Sequence, residues 1–328
     1  MRIWDIDAGE HHKLFFNSNE IALVTVTVTP VASKKSRKIP DRYWGILLIM
    51  PALLMVASLV LYPVGYAVWL SFHRKHAYLP IETFIGFSHY RNLFVDAQFW
   101  ESFWLGTVYG FSSVALQIVV GVGAALLLSK SFRGRSLVRG IALFPYVVPT
   151  IVVVLIWRWT LNDSYGLLNY VLESVGLIST PVIWLGPGAI LISLILVSTW
   201  TYFPFVLITV LARLQTINPE LYDAAAVDGA SAWKRFYHVT LPQLRTILFV
   251  VVMLRFIFMF LKFDIVWLLG GGTGGTGRFI RTLPVYTYIK TFGQLQVGAG
   301  AAMAVIMVLI LVGVAVPYFK FFRPSRDL

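Results

Sequence analysis

The chain has 328 residues, 58% of them hydrophobic and 13% charged, with no cysteine and a formal net charge of +12. A soluble domain runs nearer a quarter charged and under half apolar, so lipid must cover much of this surface. The missing cysteine excludes disulfides and thiolate chemistry, and the positive charges fall between apolar runs, which is a membrane topology signal and not a nucleic-acid footprint.

The first forty residues are mixed and polar, without an apolar core followed by a small-residue cleavage site, so no cleavable signal peptide is expected. Residues 21–32 are apolar, but too short to span a bilayer and interrupted by Pro30; a short amphipathic strand and a disordered tail both fit them. A cytoplasmic tail is expected over 1–42.

A helical span needs about 20 mostly apolar residues, because every backbone amide in lipid must be satisfied internally. Six stretches meet that test: 43–70, 103–128, 141–161, 189–211, 246–269 and 298–319. The expected fold is therefore an all-α membrane protein, with a single six-helix membrane domain over 43–319 and a short cytoplasmic tail over 320–328. Pro51, Pro63, Pro145, Pro149 and Pro204 lie inside or at the ends of these spans, where they imply kinks or local unwinding.

Orientation follows from Lys and Arg. With the N-terminus inside, the inner segments hold Lys34, Lys35, Arg37, Lys38, Arg42, Lys130, Arg133, Arg135, Arg139, Arg213, Lys234, Arg235, Arg245, Lys320, Arg323 and Arg326. The outer segments hold Arg74, Lys75, Arg91, Arg158, Arg278, Arg281 and Lys290. The inner side leads by about two to one, which predicts both termini in the cytoplasm. The first outer loop is rich in aromatics, the second carries Asn169, Glu173 and Trp184, and the third opens with the glycine-rich run 270–277, which is expected to contain no helix.

The inner segment 215–244, QTINPELYDAAAVDGASAWKRFYHVTLPQL, is the most informative stretch. Asn218 is a good N-cap and Pro219 fits the first helical position, where its missing N–H costs nothing. Glu220 and Asp223 in the first turn suit the helix dipole. Ala224, Ala225 and Ala226 then give a narrow helical surface that another protein can approach closely. Asp228 and Gly229 supply a tight turn. Ser231 can cap a second short helix running from Ala232 to about Thr240, with Pro242 near its end. Two short helices joined at a glycine form a rigid docking knob.

Tyr222, Asp223, Ala224 and Ala225, then Asp228, Gly229 and Ala230, then Leu241 and Pro242 resemble the EAA loop of ATP-binding-cassette (ABC) importer permeases. The resemblance runs from about residue 43 to 319 and is closest to the carbohydrate branch, the MalF/UgpA-like permeases. Supporting stretches are Phe144-Pro145-Tyr146-Val147-Val148-Pro149, Trp184-Leu185, Phe263-Asp264, the glycine-rich run, Thr282-Leu283-Pro284, and Tyr286 with Tyr288. The chain departs from the family in two places. Asp223 stands where glutamate is usual, keeping the sign and shortening the reach, and the glycine-rich run lacks the common proline.

The resemblance implies the type I importer permease fold in a bacterial inner membrane. It also implies a second homologous permease, a dimer of separate ATPase subunits that bind ATP and magnesium, and an outer solute-binding protein. In that setting the EAA loop sits in a cleft of the ATPase.

Polar groups at membrane depth are the candidates for the translocation path. Arg255 falls near the middle of span five, where an unpaired charge costs at least about 2.5–3.5 kcal/mol. Lys262 follows on the same helical face, and Asp264 is expected on the opposite side. These residues either line the path or hold the bundle and a partner subunit together. Thr199, Trp200 and Tyr202 in span four are further candidates, because sugars are held by aromatic faces and polar donors; an aromatic here also fits an interfacial belt.

The glycine-rich run lacks the Lys-Ser/Thr of a phosphate-binding loop and reads as a flexible gate, a binding-protein contact or a plain loop. None of the six histidines has metal-ligand spacing on a shared helical face, and no pair of carboxylates lies at a depth suited to acid–base work. The expected function is a transport subunit, not an enzyme, with no cofactor of its own, passing a sugar or sugar derivative. A permease for another solute and an ion-coupled secondary carrier are the alternatives; the carrier predicts an inverted repeat and buried carboxylates, neither of which is visible. A membrane scaffold without a path would have no reason to place Arg255 and Lys262 at depth.

Overall fold

A computed structural model describes residues 41–80, 82–272 and 275–321. The stretch 21–32, most of the N-terminal tail and the residues beyond 321 lie outside them. The chain divides into two units, Met1–Leu59 and Val60–Leu328.

In the first unit the described residues form α1 (Asp41–Val56) and the start of a π-helical stretch, Ala57–Leu61. Residues 45 to 56 are all exposed. Apolar side chains left exposed over several helical turns need lipid or another subunit to cover them. Pro51 is carried inside it.

The second unit begins with α2 (Tyr62–Leu70), Pro63 occupying its first turn. A two-stranded antiparallel hairpin follows, β1 (His73–Lys75) with β2 (Glu82–Phe84), His73 facing Phe84 and Lys75 facing Glu82. The all-α expectation is corrected to this extent. Across the short ribbon the His73 ring meets Phe84 edge-on, and Lys75 Nζ reaches Glu82 Oε2 at 2.8 Å. After α3 (Ser88–Val95), Asp96 caps the 33-residue α4 (Ala97–Ser129), its carboxylate accepting from Gln98 N–H at 3.0 Å.

Helix α4 lies along α8 (Ile190–Leu214). Its buried stripe carries Ser102, Gly106, Gly110, Ser113, Gly121 and Ala125 at helical spacing. Small residues let two membrane helices approach closely where no hydrophobic effect drives them together. At Gly121 a side chain is excluded, since a Cβ there would stand 2.6 Å from Val206 Cβ. Two guanidiniums finish the helix: Arg135 Nε and Arg139 Nη2 both donate to Leu128 O, at 2.8 and 3.1 Å.

The span expected at 141–161 is broken. It is two helices, α5 (Arg135–Val147) and α6 (Thr150–Thr160), bent 99° apart. Val148 precedes Pro149 and is driven out of the helical region, to φ −69°, ψ 131°. By length and composition five helices among the described residues can cross a membrane, or six if the bent pair counts as one. A short α7 (Leu167–Ser174) and a loop return the chain to α8. That loop is ordered by buried Asn169, which accepts from Trp184 Nε1 at 2.8 Å and donates to Val182 O at 3.0 Å.

The expected span 246–269 is also redrawn. One helical run extends over Ala232–Phe260, 29 residues, made of α10 (Ala232–Arg235), a π turn (Phe236–Thr240) and α11 (Leu241–Phe260). Pro242 does not end it. Leu241 N–H reaches five residues back to Phe236 O, and Pro242 then sits in the first turn of regular α-helix, where no donor is needed. The run stops at Leu261, and α12 (Asp264–Leu269) starts after a break. The glycine-rich loop is not free of helix as expected: Gly275–Ile280 forms a 3₁₀ turn, a short form that asks little of helix propensity. Finally α13 (Leu283–Tyr288), a π turn and α14 (Val297–Phe321) complete the unit.

Candidate functional site

Two places bring the sequence candidates together: the segment between α8 and α11, and a cleft farther along the same helices.

In the first, α9 (Glu220–Val227) begins where Asn218 Oδ1 accepts from Glu220 N–H at 3.1 Å. It ends in a Schellman motif: Gly229 N–H bonds Ala226 O at 3.0 Å and Ala230 N–H bonds Ala225 O at 2.9 Å. Gly229 stands at φ +73°, a conformation that glycine adopts without penalty. Ser231 Oγ accepts from Lys234 N–H at 3.4 Å and opens the next helix.

Asp223, Ala224, Asp228 and Gly229 are exposed, and Ala225 and Ala230 are half-buried. Leu241 and Pro242 are half-buried in the long run and do not form part of a separate knob. The second arm of the hairpin is thus the root of a membrane helix. Large apolar side chains stand out from the turn: Val227 is 88% exposed, Trp233 70% and Tyr237 55%. The Tyr222 hydroxyl meets Thr240 Oγ1 at 3.1 Å and ties the two arms.

The second place is a cleft of about 480 Å³ lined by Tyr146, Tyr202, Arg255, Phe258, Lys262, Phe263 and Asp264, among others. Arg255 Cζ lies 4.9 Å from the centre of the Tyr202 ring, and Lys262 Nζ lies 4.7 Å from the same centre. The two cations therefore share one side. Asp264 does not point away from them: its Oδ1 is 3.1 Å from Lys262 Nζ. The expectation of an opposite face assumed an unbroken helix, and the helix ends at Leu261.

Arg255 is buried, and its Nε donates to Gln117 Oε1 at 2.8 Å. Its Nη2 has no hydrogen-bond partner among the described residues, and no carboxylate there pairs with it. A guanidinium with one neutral partner keeps donor capacity for whatever enters the cleft. Thr199 and Trp200 are not brought there. Thr199 Oγ1 donates to Ile195 O within its own helix, and Trp200 packs edge-on against Trp157.

Gln117 escaped the sequence reading, and Tyr146 entered it only within the stretch 144–149 that carries the resemblance, not as a site residue. Gln117 is the one amide in its apolar span, and a polar group at such depth is a signal in itself.

The far end of the helices carries a third, purely polar cluster. The Tyr286 hydroxyl donates to Asp96 Oδ2 at 2.5 Å, Lys290 Nζ lies 3.7 Å from the same oxygen, and Arg281 reaches Glu101 at 3.8 Å. Burial alone would raise the Asp96 carboxyl, but the Tyr286 hydroxyl, the Gln98 amide and Lys290 together hold it below its ordinary value. The Tyr286 hydroxyl is pushed up, by burial and by Asp96 beside it.

Residues 117–322 match the family of binding-protein-dependent transport system inner membrane components. The chain belongs to that family. It is a multi-pass inner-membrane permease component, and the match takes in both the hairpin and the cleft. Among relatives, the trehalose/maltose transport system permease protein MalF of Thermococcus litoralis is 37% identical over 74% of this permease and 83% of its own length. The trehalose transport system permease protein SugA of Mycobacterium tuberculosis is 29% identical over 90% and 94%. The sulfoquinovosyl glycerol permease protein SmoG of Agrobacterium fabrum is 34% identical over 86% and 91%. A chain of a bacterial ABC transporter importing the acidic polysaccharide alginate superposes with a TM-score of 0.72 at 22% identity, covering 86% of this permease and 98% of that chain, and shows the same fold.

Proposed function

We propose that this permease is the membrane-spanning subunit of an ABC importer, passing a sugar or sugar derivative that a solute-binding protein delivers. Hydrolysis of ATP with magnesium on a separate ATPase dimer drives it, and a second homologous permease completes the pathway. In this reading the chain crosses the membrane six times, with α5 and α6 as one broken span and both termini in the cytoplasm.

One observation carries the reading. The helical run Ala232–Phe260 joins the exposed hairpin to the cleft as a single rod of 29 residues, about 43 Å long. The hairpin, with Asp223, Ala224, Ala225, Asp228, Gly229 and Ala230 around its turn, is the handle that the ATPase grips. A push there moves α11, and with it Arg255, by rigid-body displacement. The cleft supports a carbohydrate: the exposed rings of Tyr146 and Phe258 offer apolar surface to the C–H side of a sugar, while Arg255 and Lys262 offer donors to its hydroxyls. The relatives transporting trehalose, maltose and sulfoquinovosyl glycerol support the same solute class. An ion-coupled carrier is less well supported, since Asp264, the carboxylate of the cleft, is engaged by Lys262.

The test is uptake of labelled trehalose and of maltose into proteoliposomes holding the full importer and its binding protein. ATP-dependent accumulation is expected with wild type and its loss with Gly229→Trp; accumulation without any ATPase subunit overturns the reading.

A further inference from the structure

The hairpin leaves α8 and rejoins α11 at one level, and a single side chain bridges the two roots there. Arg213, in the last turn of α8, donates from Nε to Gln243 O at 3.0 Å and from Nη2 to Gln243 Oε1 at 3.0 Å. Its Nη1 donates to Thr216 Oγ1 at 3.2 Å, and that hydroxyl donates back to Arg213 O at 2.8 Å. An arginine at a helix C-terminus ordinarily serves its own helix end, by capping carbonyls or by charge against the dipole. Arg135 and Arg139, at the start of α5, cap one carbonyl at the end of α4, the helix just before theirs. Arg213 holds both the backbone and the side chain of Gln243 across the hairpin with a planar fork. That geometry fixes angle as well as distance, and a lysine cannot reproduce it.

The helices so joined are two of the walls of the cleft, since α8 carries Tyr202 and α11 carries Arg255. The hairpin's second arm runs straight into α11, whereas α8 is reached through the loop 215–219, through this bridge, which is the polar and directional link, and through an apolar cluster of Val206, Leu207, Val210 and Leu211 with Leu244 and Val251. We propose that Arg213 is a positioning residue of the coupling machinery: through Gln243 it makes the roots of the hairpin one body, so that a push on the hairpin moves both walls together. The proposal rests on the coupling role assigned to the hairpin above. Without the bridge, α11 responds to the push and α8 lags behind it.

The test uses the complete importer in nanodiscs and the absence of cysteine from this chain. Spin labels on Ile208→Cys in α8 and Val250→Cys in α11, both exposed, report the separation of the walls with and without Mg-ATP and vanadate. With Arg213 present, the separation is expected to stay the same in both states. With Arg213→Met it should match wild type without nucleotide and shift by about 2 Å with it, the size of helix displacement typical of such transitions. Arg213→Lys should fall between the two.

An Arg213→Met importer whose walls stay together with nucleotide overturns the proposal, and so does one already shifted without nucleotide and unmoved by it, which marks a merely structural role. If Arg213→Met does not assemble, Gln243→Met decides by the same criteria. A label on Val227→Cys separates the two levels of the argument. If adding the ATPase leaves its mobility unchanged, the coupling role of the hairpin fails; if its mobility falls while the walls never part, only the role of Arg213 fails.

Discussion

The two ends of the Val60–Leu328 unit solve opposite problems. At the far end, Asp96 faces Tyr286 and Lys290 and Glu101 faces Arg281, so these four charges are matched within the chain. At the hairpin end, Val227, Trp233 and Tyr237 stand in the open, and the polar contacts of Tyr222 with Thr240 and of Arg213 with Gln243 hold the hairpin in shape without covering it. The far end carries a matched polar cluster and the hairpin end a rigid turn with uncovered apolar side chains, which is what the coupling role proposed for the hairpin requires. Exposed apolar side chains beside a rigid turn mark an interface, whereas a self-satisfied polar cluster marks a structural clamp.

The largest expected effect attacks the hairpin. Gly229→Trp forces a side chain into φ +73° and breaks the Schellman turn; trehalose or maltose uptake should fall by about tenfold or more while membrane insertion is unchanged. Insertion and uptake both at wild-type levels would erase the contrast between the ends. Next comes Trp233→Ala, which removes an exposed ring. The thermal midpoint of the isolated permease should hold within about 0.5 kcal/mol of stability, while binding of the ATPase should weaken by about 2 kcal/mol, as for a hot-spot aromatic. A lost midpoint with unchanged binding would make Trp233 part of the fold and not of the interface.

The far end gives smaller effects of the opposite kind. Tyr286→Phe deletes a charge-assisted hydrogen bond and should cost about 1.5–3 kcal/mol in detergent unfolding, with uptake per ATP unaffected. Uptake per ATP that falls instead would extend the coupled region to this end. The smallest effect is in acid. Because the folded Asp96 carboxyl lies below its unfolded value, its contribution to stability is present above the ordinary carboxylate range and is lost as pH falls through the lowered value. Asp96→Asn should flatten the midpoint-versus-pH curve on that acid side and leave it unchanged near neutrality in slope. A curve as steep as wild type would assign the acid sensitivity elsewhere.

Much of this was legible in the sequence for a physical reason: lipid permits few solutions, so a 20-residue apolar run with its prolines and flanking arginines marks a span before any fold is seen. The turn at Gly229 was legible too, since Asn218, Pro219 and Ser231 are local signals. What failed depended on neighbours. Pro242 looks like a stop until the π turn ahead of it is known. The periodicity that set Asp264 apart from Lys262 holds only while the helix continues, and it ends at Leu261. Gln117 joins Arg255 across two helices far apart in the chain, a pairing that no local pattern encodes.

The break between α5 and α6 has a consequence for biogenesis. Helices of 13 and 11 residues are about 20 and 17 Å long, and each falls short of a hydrocarbon core about 30 Å thick. A nascent chain that has emerged as far as Thr160 holds two helices long enough to cross, at Gly45–Leu70 and Ala97–Ser129, but in neither α5 nor α6 a third helix of that length. In the folded unit α5 lies on α8 and α6 on α12. In the six-crossing reading proposed above, the bent shape of that segment is therefore held by helices that are synthesised after it.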